Sequence, residues 1–292
     1  MGNLVDRTGY RFMKDYHPDG ELAPRDVVSL AIVQQIRKTH FTHVFLDVRH
    51  LDPEKFRARF PQLAHLLDQF EINPATDLIP IHPAAHYMIG GVDADEFGQS
   101  SLKGLYTVGE ASCSGLHGAN RLGSNSLLEG LAFGARAGKH AAEVAKSDKI
   151  KFPQTLEHRI PPSTRTELDI TDVKSSLRSI MWRHVGIERN GERLAETLER
   201  LAYWGRYVMD KVFDPQSATN GVTAGWELQN MLSVCGLIAT AANTRKESRG
   251  VHYRIDFPKR DDANWRLHLL WRRPDESPMK EPVQSAPQPA ER

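Results

Sequence analysis

The run Gly109-Glu-Ala-Ser-Cys-Ser-Gly-Leu-His-Gly-Ala-Asn-Arg-Leu-Gly-Ser-Asn-Ser-Leu-Leu-Glu129 gathers the residue types in this chain best suited to chemistry. It reads as a strand end at Glu110, a glycine-rich loop carrying Arg121, and a helix whose first turn begins around Ser124 to Ser126. The first N–H groups of a helix have no partner inside it, and with the macrodipole they attract negative charge. Glycines let a flat ligand approach the backbone, and Arg121 offers a planar fork for a carboxylate. On residue types alone the loop is either an anion site or an ordinary glycine connection, although Arg121 itself points to an anion. Ser124 and Asn125 suit a helix cap. His117 either lines a ligand site or packs inside the loop. Arg25, in Ala-Pro-Arg-Asp, reads as a helix N-terminal arginine in a surface salt bridge. His86, ahead of Gly90-Gly91, reads as a structural histidine.

The elements that must hold these residues are partly visible in the pattern. The chain enters on Gly9-Tyr-Arg-Phe-Met13 with no strand before it, as if cut into a domain. Pro24 and Asp26 suit the first turn of a helix over 25–38, with Val27, Val28, Ala31, Ile32 and Ile36 at helical spacing. Thr42 to Val48 predicts a strand, and 53–60 and 62–70 predict short helices separated by Pro61. Short strands and glycine turns follow from Leu78, including Leu78 to Ile81, Val92 and Gly104 to Val108, and predict a β sheet. A helix from Asn125 to about Ala145 carries Gly130, Gly134 and Gly138 on a face free of bulk, fit to press on a sheet or a cofactor. Three amphipathic patterns near 169–185, 190–212 and 225–246 predict a three-helix bundle, with Trp182, Tyr203, Trp204 and Trp226 in its core. Arg245, Lys246, Arg249 and Arg254 form a basic cluster that reads as a packing and docking element.

Composition narrows the function. With 38 Lys plus Arg against 37 Asp plus Glu, the net charge of +1 argues against nucleic acid or an anionic membrane surface as partner. The two cysteines, Cys113 and Cys235, lie far apart and predict neither a disulfide framework nor a zinc site. The thirteen histidines show no paired-ligand spacing, so no metal is expected. No apolar run approaches the roughly 18 residues of a spanning helix, and a cytoplasmic location is expected.

Four segments carry a family resemblance. Gly115 to Glu129 resembles the signature of the succinate dehydrogenase, fumarate reductase and L-aspartate oxidase flavoproteins. Glu21-Leu-Ala-Pro-Arg-Asp-Val-Val28, Pro83-Ala-Ala-His-Tyr-Met-Ile-Gly-Gly-Val92 and Arg245-Lys-Glu-Ser-Arg-Gly-Val-His252 are similar to the same superfamily, in the same order. The Pro-Ala-Ala-His-Tyr form resembles the aspartate oxidase branch, with the succinate dehydrogenase and fumarate reductase flavoproteins as the alternative. The resemblance implies a fold class of α/β plus α: the C-terminal part of an FAD-dependent oxidoreductase domain, the remnant of an α+β capping domain, and a C-terminal three-helix bundle. The resemblance makes 1–77 capping and 78–147 FAD-binding, while polar, proline-bearing composition marks 148–168 as a linker, the amphipathic patterns place the bundle in 169–271, and the proline-rich 272–292 reads as a disordered tail.

The same resemblance assigns roles to single residues. Arg25 matches the arginine that carries a proton at the substrate's β carbon, a role that demands an unusual site because a guanidinium normally holds its proton. His86 and Arg121 match the residues that bind substrate carboxylates, with Ser124 beside them. Glu110 matches the carboxylate that accepts from the flavin ribityl chain, and Ser126 and Leu127 the helix-start N–H groups facing the pyrimidine edge of the FAD ring. The implied activity is oxidation of L-aspartate to iminoaspartate, with O2 or fumarate as acceptor and quinolinate synthase next in NAD biosynthesis. No GxGxxG fingerprint occurs in the chain, so the dinucleotide-binding half of the family is expected to be missing. A fragment inactive on its own, or one serving only assembly, is the reading from a different class.

Overall fold

The computed structural model describes residues 2–147, 169–209, 222–272 and 279–282. The linker expected at 148–168 lies outside the described residues. The chain divides into two compact units, Met1–Tyr87 and Met88–Arg292.

In the first unit β1 (Asn3–Val5), α1 (Met13–Tyr16), α2 (Arg25–Thr39), β2 (Val44–Asp47), α3 (Pro53–Arg59), α4 (Pro61–Gln69) and β3 (Ile79–Ile81) follow in order. The strands form an antiparallel sheet ordered β1-β2-β3, with Leu4 opposite Leu46 and Phe45 opposite Pro80. Pro80 is tolerated because β3 is an edge strand. α2 begins directly after Pro24 and buries Val28, Ala31 and Ile32 against Phe12, Met13 and Val44. It stops at His40, whose left-handed φ of 50° turns the chain toward β2. α3 is capped by Asp52, which accepts from Glu54 N and Lys55 N.

β1 corrects the expectation that no strand precedes Gly9. Three residues are too few to show a period, and their pairing with β2 decides their state. A buried carboxylate reinforces it: Glu21 accepts from Leu4 N at 3.0 Å and holds Arg11 at 2.7 Å. Burial alone would raise its pKa, yet the Arg11 and Leu4 hydrogen bonds bring it down to about 2.

The second unit opens with β4 (Val92–Asp93) and β5 (Ser112–Cys113), a short parallel pair, and continues into the long α5 (Asn125–Ser147). Of the strands expected from Leu78 onward, Ile79–Ile81 and Val92–Asp93 form, and the one expected at Gly104 to Val108 is corrected. Gly104 to Val108 makes only a single bridge, Tyr106 to Gln99, because Gly98, Gly104 and Gly109 adopt positive φ and turn the chain every few residues. α5 buries only Glu129 and Ala137 among its residues.

Beyond it come α6 (Ile170–His184), β6 (Glu188–Arg189), α7 (Gly191–Met209), α8 (Val222–Thr244), β7 (Tyr253–Arg254), α9 (Asp262–Trp265), β8 (Leu267–Leu270) and β9 (Met279–Pro282). α6, α7 and α8 share one core centred on Leu177, Leu194 and Leu228, all fully buried. Leu177→Ala is expected to cost about 3 kcal/mol through lost transfer energy and a residual cavity, read by urea unfolding followed by circular dichroism. A loss below about 1 kcal/mol would mean that the core is not closed around Leu177.

The aromatic residues expected in this core are a correction. Trp204 packs on it, but Trp182, Tyr203 and Trp226 are 42%, 60% and 46% exposed. Each exposed ring stands two residues from a buried one, namely Ile180, Leu201 or Leu228. That is about 200° around a helix, the opposite face. The tail is also corrected over Met279–Pro282, which pairs antiparallel with β8; 273–278 and 283–292 lie outside the described residues.

Candidate functional site

A 3-10 turn, Gly109–Ala111, stands immediately before β5 and presents Glu110, and the glycine-rich loop runs from the end of β5 to α5. The exposed Glu110 carboxylate accepts from Met88 N at 2.8 Å through one oxygen. Gly91 comes so close to this turn that a Cβ there would sit 2.3 Å from Ala111 O, which is why the Gly90-Gly91 pair tolerates no side chain at its second position. Ser124 takes a left-handed φ of 69° and α5 starts at the next residue. The first-turn N–H groups, Ser126 and Leu127 included, have no acceptor inside the helix. Arg121, half-buried, donates from Nη1 to Leu122 O at 3.1 Å.

Beneath the loop lies a residue that sequence reasoning missed. Glu129, 2% exposed, accepts from Ser114 Oγ at 2.5 Å and pairs with His117 Nε2 at 2.8 Å. The His117 ring is thus turned into the loop toward Glu129. The signal was present as an acidic residue one turn into an apolar helix start, a position where a charge persists only when paired. From the other side Val251 N donates to Ala119 O at 3.0 Å.

The three arginines of the basic cluster behind Val251 are paired with carboxylates, in line with a packing role. Glu247, fully buried, holds Arg245 at 2.7 Å and Arg249 at 2.7 and 2.9 Å, and accepts from Asp261 N at 2.9 Å. Arg254, 2% exposed, pairs with Asp256 and donates to Ala242 O and Asn243 O at the end of α8. Arg189 Nη1 lies 2.7 Å from His252 Nδ1. Burial and the facing guanidinium of Arg189 push the His252 imidazole down to about 4.

Arg25 and His86 belong to the first unit. Arg25 stands at the start of α2, exposed, and its Nη2 donates to Glu21 O and Ala23 O at 2.5 and 3.0 Å. Its acceptors are backbone carbonyls rather than the carboxylate that a surface salt bridge requires. The adjacent Asp26 Oδ1 is buried with no hydrogen-bond partner among the described residues. His86 is exposed in the irregular segment after β3.

The second unit fits a flavin. Leu116, Leu122, Leu127, Leu128 and Leu131, between 52% and 77% exposed, surround the helix start with uncovered apolar surface. A Cβ built at Gly130, Gly134 or Gly138 would meet open space. An exposed carboxylate, an open helix start and an apolar surround are the donor set and shape that a flat, hydrogen-bonding ring system needs. Among the described residues no group of His, Cys, Asp and Glu could hold a metal ion. Cys113 and Cys235 are free, and burial raises both thiols. No described helix is long and apolar enough to cross a membrane.

Residues 2–127 match the family model described as FAD binding domain, and 174–292 that of fumarate reductase flavoprotein C-term. An L-aspartate oxidase of Streptomyces coelicolor is 36% identical over 275 residues, covering 92% of this chain and 47% of the relative. A fumarate reductase flavoprotein subunit of Mycobacterium tuberculosis is 34% identical over 312 residues, covering 96% of this chain and 54% of its own. A solved quinol-fumarate reductase with menaquinol molecules superposes with a TM-score of 0.83 at 32% identity, over 99% of this chain and 56% of that one. The chain spans about half the length of the curated relatives it matches. It belongs to the FAD-dependent flavoprotein superfamily of L-aspartate oxidase, fumarate reductase and succinate dehydrogenase.

Proposed function

We propose that this chain supplies the substrate-handling residues and the flavin ring seat of an L-aspartate oxidase, which converts L-aspartate to iminoaspartate. The observation that carries the reading is the Gly115–Glu129 loop, which presents the half-buried Arg121 immediately before an open helix start. In this reading 1–77 is the C-terminal part of a substrate-capping domain, 78–147 that of the FAD-binding domain, and 169–271 a helical bundle domain.

Arg121 and His86 hold substrate carboxylates, with Ser124 shaping the turn beside Arg121. Arg25 accepts the proton that leaves the substrate's β carbon as the α hydrogen departs with its two electrons, and the enamine so formed tautomerises to iminoaspartate. FAD, when bound, supplies the acceptor for the two electrons that leave the substrate. Glu110 accepts a hydrogen bond from the cofactor's ribityl chain. The N–H groups of Ser126 and Leu127, free of acceptors inside the helix, would hold the pyrimidine edge of the ring and would stabilise negative charge there. O2 or fumarate takes the electrons onward, giving hydrogen peroxide or succinate. The product goes to quinolinate synthase in NAD biosynthesis, and the setting is cytoplasmic.

A second reading, a fumarate reductase flavoprotein, is favoured by the Mycobacterium tuberculosis relative and the solved quinol-fumarate reductase. One assay separates the two. The chain is combined with FAD and with the dinucleotide-binding part of the Streptomyces coelicolor L-aspartate oxidase, then given L-aspartate or succinate with a dye acceptor. Turnover of L-aspartate, with fumarate able to replace O2, is the expected outcome. Turnover of succinate alone would transfer the assignment to the second reading, and a flavin-loaded complex inactive on both would leave a non-catalytic role.

A further inference from the structure

The segment after α8 bears directly on the loop that carries Arg121. Val251 N donates to Ala119 O at 3.0 Å, and Gly250, at φ 54°, presses on the same carbonyl. A Cβ at Gly250 would lie 2.1 Å from Ala119 O and 2.9 Å from Ala119 Cβ. Ala119 stands two residues before Arg121. We infer that Gly250 is a positioning residue for Arg121, through which the C-terminal helical region sets where the guanidinium sits. The inference rests on the proposed reading of Arg121 as the holder of a substrate carboxylate.

Two features of the geometry carry it. First, the backbone-to-backbone hydrogen bonds within the loop are long: Gly118 N to Gly115 O and Asn120 N to His117 O at 3.2 Å, and Asn125 N to Leu122 O at 3.3 Å. Its place therefore depends on anchors from outside. Glu129 fixes its first half through Ser114 and His117, and the Val251 contact fixes the half nearer Arg121.

Second, the tip that makes this contact is rigid. Arg249 and His252 exchange backbone hydrogen bonds at 2.8 and 3.0 Å around Gly250-Val251. Arg249 is clamped by Glu247 and Asp262, His252 by Arg189, and Arg254 by the carbonyls closing α8. A rigid tip pressed on a pliable loop transmits position from the tip to the loop. An added methyl group at Gly250 cannot be absorbed by a rotating side chain, since the atom it meets is a backbone oxygen. Ala119 must move by roughly an ångström, a misplacement that costs a positioned group about 10- to 100-fold.

Gly250→Ala is the test, in the FAD-loaded complex described above and in the chain alone. In the complex KM for L-aspartate is expected to rise by about 10- to 100-fold, with kcat falling less. In the chain, hydrogen exchange is expected to quicken at Val251 and across 117–123, while the amides of α7 and α8 keep wild-type protection. Unchanged loop exchange and KM would overturn the inference. So would exchange that quickens equally throughout α7 and α8, since Gly250 would then serve only general stability. A third measurement needs no substitution: fumarate added to the wild-type complex should slow exchange at the Val251 amide, because coupling between two sites is reciprocal. Absence of that slowing counts against the coupling. If the complex turns over neither L-aspartate nor succinate, the proposed function fails, while the exchange comparison in the chain still decides the clamp.

Discussion

Arg121→Met is expected to lower kcat/KM for L-aspartate in the reconstituted complex by about two to three orders of magnitude, with thermal unfolding of the chain unchanged. Truncating one partner of a buried, hydrogen-bonded charge pair costs about 2–5 kcal/mol, and about 1.4 kcal/mol corresponds to a decade. Methionine keeps the apolar stem and removes the two-pronged donor. Arg121→Lys restores charge without the fork and is expected to recover about one decade, since a point charge cannot replace bidentate geometry. Ser126→Ala and Leu127→Ala are the contrast. Their proposed contribution comes from backbone N–H groups at the start of α5, which a side-chain change leaves in place. Each should stay within about fivefold of wild type. The assignment of Arg121 is lost if its methionine variant retains more than a tenth of wild-type kcat/KM, or if Ser126→Ala is equally damaging.

Part of the frame around the candidate site was legible in the residue order. α2, the α3–α4 pair around Pro61 and the long α5 carry strong periods or clear breakers, and the structure places their ends within about two residues of the pattern. The glycine loop with Arg121 and the helix start after it were readable because glycines before an apolar helical period mark such a turn locally. β1 and β9 were not, since strands of three or four residues are defined by the partner they pair with, and no local period announces that partner. The exposed Trp182, Tyr203 and Trp226 show the complementary failure: helical spacing identifies faces, and hydrophobicity alone picked the wrong one. The partners of Glu129 and Gly250 were not legible, for a third reason. Their roles are contacts with His117, Ser114 and Ala119, which the fold brings near but the sequence separates.

Glu247→Ala is expected to remove about 3–5 kcal/mol of stability from the helical region, because it strands buried cations rather than deleting an isolated contact. The carboxylate has no exposed surface, and Arg245, Arg249 and Asp261 N all donate to it. Glu247→Gln keeps size and some acceptor capacity, so it should fall between the two. Acid sensitivity follows from the same neighbourhood. Burial alone would raise the Glu247 pKa, but hydrogen bonds from Arg249, Asp261 N and Arg245 bring it below the ordinary value of 4.5. The folded state then binds fewer protons than the unfolded one, so this stabilisation is complete above the unfolded pKa and drains away as pH falls through the folded one. His252 acts at a higher pH. Its folded pKa of about 4, against 6.5 when unfolded, reflects burial and the cations Arg189, Arg245 and Arg254 around it. That contribution, about 3 kcal/mol when fully expressed, is present above pH 6.5 and is lost between there and about pH 4. Urea unfolding across this range should show stability falling in two stages. His252→Gln is expected to flatten the upper stage and Glu247→Ala to weaken the lower one. A Glu247→Ala protein within about 1 kcal/mol of wild type at neutral pH, with an unchanged acid limb, would show that the buried ions do not hold the Gly250 tip in place.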